Sequence, residues 1–254
     1  MDYYLDPLIY DLIYDGGTAD QWRTLQLLAE RFEVPADGVW LEPACGSGRL
    51  LVAAAAAGIA VAGFDREPRM LDFARGRLPK SAQLVEADYL DCATRLAPQK
   101  FAFAFNLVNS IRHLETDAAL IGHLDQMAAL LAPNARYLVG LSLHDPATAE
   151  VEEDVFRGSR DGVTAVEVVQ SLPPEPGERS ELIVSHLTIE RPGLAPEHRD
   201  TSFSVRTYTA EEWEGAVAAS QLRIDEIFNL WGDRFTPVGG TYGLYSLVPG
   251  LEAE

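Results

Sequence analysis

Residues 39–49 read Val39-Trp-Leu-Glu-Pro-Ala-Cys-Gly-Ser-Gly-Arg49, and the fold class follows from that stretch. Val39, Trp40 and Leu41 form a short apolar run of strand type. The chain then turns through Gly46 and Gly48 and enters an Ala-rich helical segment. A strand that passes through a glycine turn into a helix is the opening unit of a wound α/β sheet. Glycines there let a ligand come close to the backbone. The next apolar strand, Ile59 to Phe64, ends at Asp65. A carboxylate at that place can accept both hydroxyls of a ribose. The pair of features points to an adenosine-containing ligand at a sheet edge.

The rhythm continues outward from this unit. Trp22, Leu25, Leu28 and Phe32 stand three or four apart, which predicts an amphipathic helix over 20–32. Pro68 suits the first position of a helix whose stripe is Met70, Leu71, Ala74 and Leu78. Further strands are expected over 83–86, 101–108 and 135–143, and Thr116 can cap a helix running to Leu131. Strands joined by helices imply right-handed crossovers and a parallel sheet. The fold class is therefore α/β, a doubly wound, seven-stranded sheet.

After His144 the texture changes. Segments 163–171, 181–191 and 201–208 show partial period-two alternation, which predicts an antiparallel β insertion over 145–208. Thr209 and Glu212 form a capping box at the start of the last helix. Segments 223–229 and 241–248 close the chain as two strands antiparallel to each other. The expected organisation is one domain over 1–254, with an N-terminal helical cap over 1–33 and the insertion as a lid.

Composition narrows the partners. Lysine and arginine number 20 and aspartate and glutamate 39, a net charge of −19. Such a field repels phosphate backbones and anionic membranes and favours neutral or cationic substrates. No nucleic acid and no membrane are expected, and a homodimer is an allowed assembly. The longest apolar run, Leu50 to Phe64, is shorter than the ~18 residues that a spanning helix needs. Two cysteines, Cys45 and Cys92, make no disulfide framework, so a reducing, cytoplasmic setting is expected. The acid-rich stretch from His144 to Asp154 matches no ligand spacing; it reads as a solvated loop, and no metal is expected. His123 reads as a solvated residue on the polar side of its helix.

The ligand is the next question. A dinucleotide fingerprint needs a third glycine, and the sixth position counted from Gly46 is Leu51. No tyrosine has a lysine four residues later, which disfavours the first alternative, a nicotinamide-dependent oxidoreductase. The second alternative is a non-catalytic protein that binds an adenosyl ligand. Glu42, just before the turn, would repel a pyrophosphate but can attract an ammonium group, which fits S-adenosylmethionine better than NAD.

WLEPACGSGR resembles the first motif of class I S-adenosylmethionine-dependent methyltransferases, and VAGFDREPRML resembles the second. VEADYLD, FAFAFNLVNSIRHL and LAPNARYLVGLSL are similar to the segments that follow, with Asn134 in place of a turn glycine. The opening YDLIYDGGTADQW and the late β insertion resemble the small-molecule branch, which includes amino-sugar N-methyltransferases and glycine N-methyltransferase-like enzymes. The resemblance implies methyl transfer from S-adenosylmethionine to nitrogen or oxygen of a small-molecule acceptor, with S-adenosylhomocysteine as product. It assigns the cofactor site to Tyr14, Trp22, Glu42, Ala44, Gly46, Gly48, Asp65, Arg66, Met70, Asp88, Tyr89 and Asn106. Asp88 and Tyr89 would flank the adenine and Asn106 the methionine end. His113, in the loop after the fourth strand, would lie by the acceptor and take its proton, since an imidazole titrates near neutrality.

Overall fold

The computed structural model describes residues 6–237 and 240–250. The first five residues of the expected cap and the last four of the expected domain lie outside the described residues. Five strands are parallel: β1 (Val39–Pro43), β2 (Ala60–Asp65), β3 (Gln83–Glu86), β4 (Phe101–Asn106) and β5 (Leu131–Ser142). Four more, β6 (Glu152–Arg160), β7 (Val163–Leu172), β8 (Ser180–Glu190) and β9 (Glu197–Arg206), form a separate antiparallel sheet. The last two, β10 (Leu222–Phe228) and β11 (Tyr242–Pro249), complete the first sheet in the order β10-β11-β5-β4-β1-β2-β3. β11 runs antiparallel to both of its neighbours.

From β1 the chain winds outward to β2 and β3, then crosses back to β4 and β5. The winding therefore reverses between β1 and β4, and ligands of such sheets gather outside the strand ends at that point. Among the described residues, seven α-helices accompany the sheets: α1 (Pro7–Tyr14), α2 (Thr18–Arg31), α3 (Arg49–Ala56), α4 (Pro68–Arg75), α5 (Cys92–Leu96), α6 (Asp117–Leu130) and α7 (Ala210–Ala218). One face of the seven-stranded sheet packs Trp40, Phe103 and Phe105 against Leu25 and Leu28 of α2 and Leu51 of α3. The other face packs Tyr137 and Tyr245 against Leu120, Leu124 and Met127 of α6 and Trp213 of α7. Each such aliphatic or aromatic side chain, once fully buried, contributes about 1.5–3 kcal/mol.

Local signals account for the helix starts. Thr116 Oγ1 accepts the Ala119 amide at 3.1 Å. Thr209 and Glu212 make the reciprocal box that the spacing predicts. Asn134 takes φ 64°, a conformation that asparagine tolerates where a glycine would otherwise serve.

Two expectations need correction, and one short helix was not foreseen. The acid-rich stretch is not wholly a loop, because residues 152–160 form β6. β6 is an edge strand with a neighbour on one side only, so Glu153 and Val155 stay exposed and the apolar alternation that marks a strand is missing. The five-residue helix α5 is too short to show a period. His123 is buried rather than solvated, because α6 is sandwiched between the sheet and the loop after β3 and both its ring nitrogens meet protein partners.

Helix α1 lies on the inner face of the four-stranded sheet, where Ile9, Leu12 and Ile13 pack on Ala165, Leu187 and Ile189. Asp11, fully buried on that helix, pairs with Arg77 beyond α4 and with Arg160 of β6, the latter at 2.8 Å. One carboxylate therefore fastens α1 both to the wound domain and to the insertion.

Candidate functional site

Two adjoining cavities open at the carboxyl ends of the parallel strands. The larger, about 360 Å³, is bounded by the ends of β1, β2 and β3 and contains Gly46, Asp65, Arg66, Asp88 and Tyr89. The smaller, about 200 Å³, contains Glu42, Ser47, Arg49, Asn106 and Arg112, with Glu181 and Phe203 reaching in from the four-stranded sheet. Tyr10, Ala44, Ser110 and His113 line both.

The glycine turn fixes the boundary between the cavities. Gly46 has φ 51° and Gly48 φ 72°, values that side chains resist. In that conformation the Gly46 amide donates to Asp65 Oδ2 at 2.8 Å, while the Glu67 amide donates to Oδ1 at 2.9 Å. The carboxylate of Asp65 is thereby held at the end of β2. Burial raises its pKa, against the lowering effect of those two amides. An ionised carboxyl has about four lone-pair directions, so it can still accept from two hydroxyls of a ligand.

The smaller cavity holds unsatisfied polar atoms. Glu42 Oε2, Ser47 Oγ and Asn106 Oδ1 are buried without a hydrogen-bond partner in the protein. Three such atoms converging on one cavity are costly unless a polar ligand or water meets them. Burial pushes the Glu42 carboxyl up to about 8, partly offset by Arg49 and reinforced by Asp65. Asn106 is itself fixed, its Nδ2 donating to the Pro43 carbonyl at 2.8 Å.

His113 ends a 3-10 turn, Ser110–His113, and its ring stacks on Phe203 at 5.8 Å. Burial, followed by the nearby Arg66 and Arg112 cations, lowers its pKa to about 4. The imidazole is therefore neutral throughout the physiological range. Arg112 is paired with Glu181 at 2.8 Å, and its Nε donates to the Arg206 carbonyl at 2.7 Å. Tyr10 and Tyr14 lie ring against ring on α1, 4.7 Å apart, and both line the smaller cavity.

Nine of the twelve cofactor residues named from the sequence line one cavity or the other: Tyr14, Glu42, Ala44, Gly46, Asp65, Arg66, Asp88, Tyr89 and Asn106. Three do not. Trp22 faces the sheet and packs on Trp40 at 5.9 Å, because the apolar stripe of α2 outweighs any reach toward the ligand. Gly48 is the N-cap of α3, backed by Ala74. Met70 is buried within α4. Sequence reasoning missed Ser47, Arg112 and Glu181. Only the fold brings β8 to the 3-10 turn, so no spacing announces the Arg112–Glu181 pair. Among the described residues, no group of three or more His, Cys, Asp or Glu side chains could hold a metal ion. No helix among them is long and apolar enough to cross a membrane.

Residues 41–134, from β1 into the start of β5, match the family described as a methyltransferase domain. The chain carries a methyltransferase domain and is an enzyme that uses S-adenosylmethionine. The nicotinamide-dependent alternative is thereby set aside. DesVI from Streptomyces venezuelae is 27% identical, with 95% of this chain and 97% of that one superimposed at a TM-score of 0.76. The sugar N-methyltransferase KedS8 from Streptoalloteichus shares the fold at 21% identity, covering 94% of this chain and 92% of that one, with a TM-score of 0.71. So does CalS10 from Micromonospora echinaspora, an amino pentose methyltransferase solved with S-adenosylmethionine, at 21% identity, 94% and 97% coverage and a TM-score of 0.70. No curated protein sequence matches. The methyltransferase holds an anchored carboxylate beside the glycine turn, with unpartnered polar atoms in the adjoining cavity.

Proposed function

We propose that this methyltransferase methylates an amine on a small-molecule acceptor. The observation that carries the reading is the set of unpartnered buried atoms, Glu42 Oε2, Ser47 Oγ and Asn106 Oδ1, in a cavity continuous with the one that holds Asp65. In this reading Gly46 and Asp65 hold the ribose, and Asp88, Tyr89 and Arg66 surround the base. Glu42, Ala44 and Asn106 meet the amino-acid end, and Tyr14 closes over it from α1 beside Tyr10. The four-stranded sheet acts as the lid of the acceptor side. When bound, S-adenosylmethionine supplies a methyl group already activated on a sulfonium. The work of the chain is then to align the acceptor and to keep water out.

Several features favour an amine. The chain carries a net −19, a field that draws cations rather than anions. The arginines of the smaller cavity are engaged: Arg112 with Glu181, and Arg49 with Thr18 and Gln21. The names of KedS8 and CalS10, a sugar N-methyltransferase and an amino pentose methyltransferase, agree with that class. A cytoplasmic setting goes with the reading, both cysteines being free and buried.

Calorimetry tests the cofactor side. Glu42, with a pKa of about 8 in the free protein, is mostly protonated at pH 7. A cationic ligand beside it favours the charged form, so binding expels the proton. S-adenosylmethionine should bind with release of close to one proton at pH 7, and its affinity should rise with pH until about pH 8. Titrations in buffers of different ionisation enthalpy count the proton. Glu42→Gln should abolish the release. Absence of binding, or binding with no buffer dependence, would remove Glu42 from the cofactor site.

His113 carries the acceptor side, and its lowered pKa revises what it can do. An imidazole with pKa about 4 is too weak a base to strip a proton from an ordinary ammonium. It can instead accept a hydrogen bond from an amine that enters neutral, and so orient the lone pair. His113→Ala should lower kcat by roughly tenfold, the loss of one buried hydrogen bond, with a smaller change in cofactor affinity. The deficit should be constant between pH 6 and 9, because His113 does not titrate there. A deficit that shrinks at high pH would restore proton abstraction as its role.

A further inference from the structure

Tyr89 and Asp88 reach the larger cavity from the loop after β3, and a buried imidazole of α6 holds that loop from behind. His123 is fully buried. Its Nδ1 lies 3.2 Å from the Tyr89 carbonyl oxygen, and its Nε2 lies 3.0 Å from the Tyr137 hydroxyl. A carbonyl oxygen can only accept, so Nδ1 carries the proton and donates. Nε2 is then the acceptor, and the Tyr137 hydroxyl donates to it. One neutral tautomer satisfies both partners at once. Burial agrees, lowering the pKa of the ring to about 4.

The same loop has further ties. The Cys92 thiol lies 3.6 Å from the Tyr89 carbonyl as a second, weaker donor. Where the loop ends, at the start of α5, Gln126 of α6 accepts the Ala93 amide at 2.9 Å. The His123 ring meets the Tyr89 ring at 4.5 Å, close to perpendicular. The two ends of the imidazole differ in what they reach. Tyr89 is part of the cavity wall, whereas Tyr137 lines neither cavity.

We propose that His123 is a positioning residue for the cofactor, setting the place of Asp88 and Tyr89 at the adenine end by holding the Tyr89 carbonyl. The inference rests on the reading that the larger cavity takes the adenosyl group. His123 itself lines neither cavity and acts only through the loop.

Substitutions can separate the two ends of the ring. The side-chain nitrogen of asparagine falls where Nδ1 is and can still donate to the Tyr89 carbonyl. The side-chain nitrogen of glutamine falls where Nε2 is and cannot. Asparagine is also the smaller residue and the poorer helix former, so His123→Asn should melt lower than His123→Gln. The expected affinity order is the reverse. His123→Gln should weaken S-adenosylhomocysteine binding by roughly tenfold, the scale of one lost hydrogen bond and a displaced wall. His123→Asn should stay within about threefold of the wild type by the same scale, and Tyr137→Phe should bind as the wild type does. Amide exchange across residues 87–91 of the ligand-free proteins is the second readout, faster in His123→Gln than in His123→Asn. Affinities that follow the melting temperatures, or equal exchange in the two variants, would overturn the inference. Failure of the wild type to bind the nucleoside would instead overturn the reading of the cavity, and the exchange experiment would still judge the role of His123.

Discussion

Asp11→Ala is expected to cost about 2–4 kcal/mol and to lower the melting temperature by roughly 10 °C. The Asp11 side chain is 0% exposed, while Arg77 and Arg160 keep 26% and 33% of theirs in solvent. Removing the shared carboxylate takes from Arg77 its ion-pair partner and leaves Arg160 only its pair with Asp15 at 3.2 Å. Both guanidiniums can turn partly outward, which keeps the loss below that of a wholly buried pair. The functional consequence follows from what α1 carries. Without its fastening, Tyr10 and Tyr14 no longer hold the cavity wall, and cofactor affinity should fall together with stability. Arg160→Ala is the milder companion, since Asp11 keeps Arg77. Thermal denaturation and calorimetry on both variants are the measurements. A melting point for Asp11→Ala within about a degree of the wild type would show that the apolar contacts of Ile9, Leu12 and Ile13 suffice to dock the helix.

The wound sheet was legible because its signals are local. β1, the glycine turn and α3 are consecutive, and Asp65 closes the next strand, so the larger cavity could be drawn from one motif and its partner. Helix caps at Thr116 and Thr209 were readable for the same reason, each bond spanning three residues. What could not be read was set by distant packing. His123 is a lone imidazole whose residue type favours neither face of a helix, yet α6 turns it toward Tyr89 and Tyr137, and its burial depends on the loop that covers it. Trp22 carries no sign of whether its ring faces ligand or sheet; the choice is made by Trp40 on a different element. The Arg112–Glu181 pair joins a turn to a strand of the second sheet, and neither segment shows that the other will arrive. The charges of the acceptor side therefore appear only once the insertion is folded back over the strand ends.

Gly46→Val is expected to reduce cofactor affinity by at least about a hundredfold while leaving the far-ultraviolet circular dichroism unchanged. Gly46 takes φ 51°, a conformation in which a β-branched residue is an outlier. A left-handed backbone costs a side-chain-bearing residue about 1–2 kcal/mol, and valine relieves the strain by rotating the peptide. That rotation removes the Gly46 amide from Asp65 Oδ2, its present partner at 2.8 Å. The carboxylate then loses the contact that fixes it at the end of β2. The added carbons have little room elsewhere, since a Cβ at this position already meets the Tyr10 ring at 3.5 Å. Its branches would extend toward the ring or into the cavity. The core lies behind the turn and is untouched, which is why the secondary structure should survive. Gly46→Ala separates the two effects, because it carries the backbone strain without the branches and should fall between valine and wild type. If the valine variant fails to fold while the alanine variant binds as the wild type does, the turn serves packing rather than the ligand.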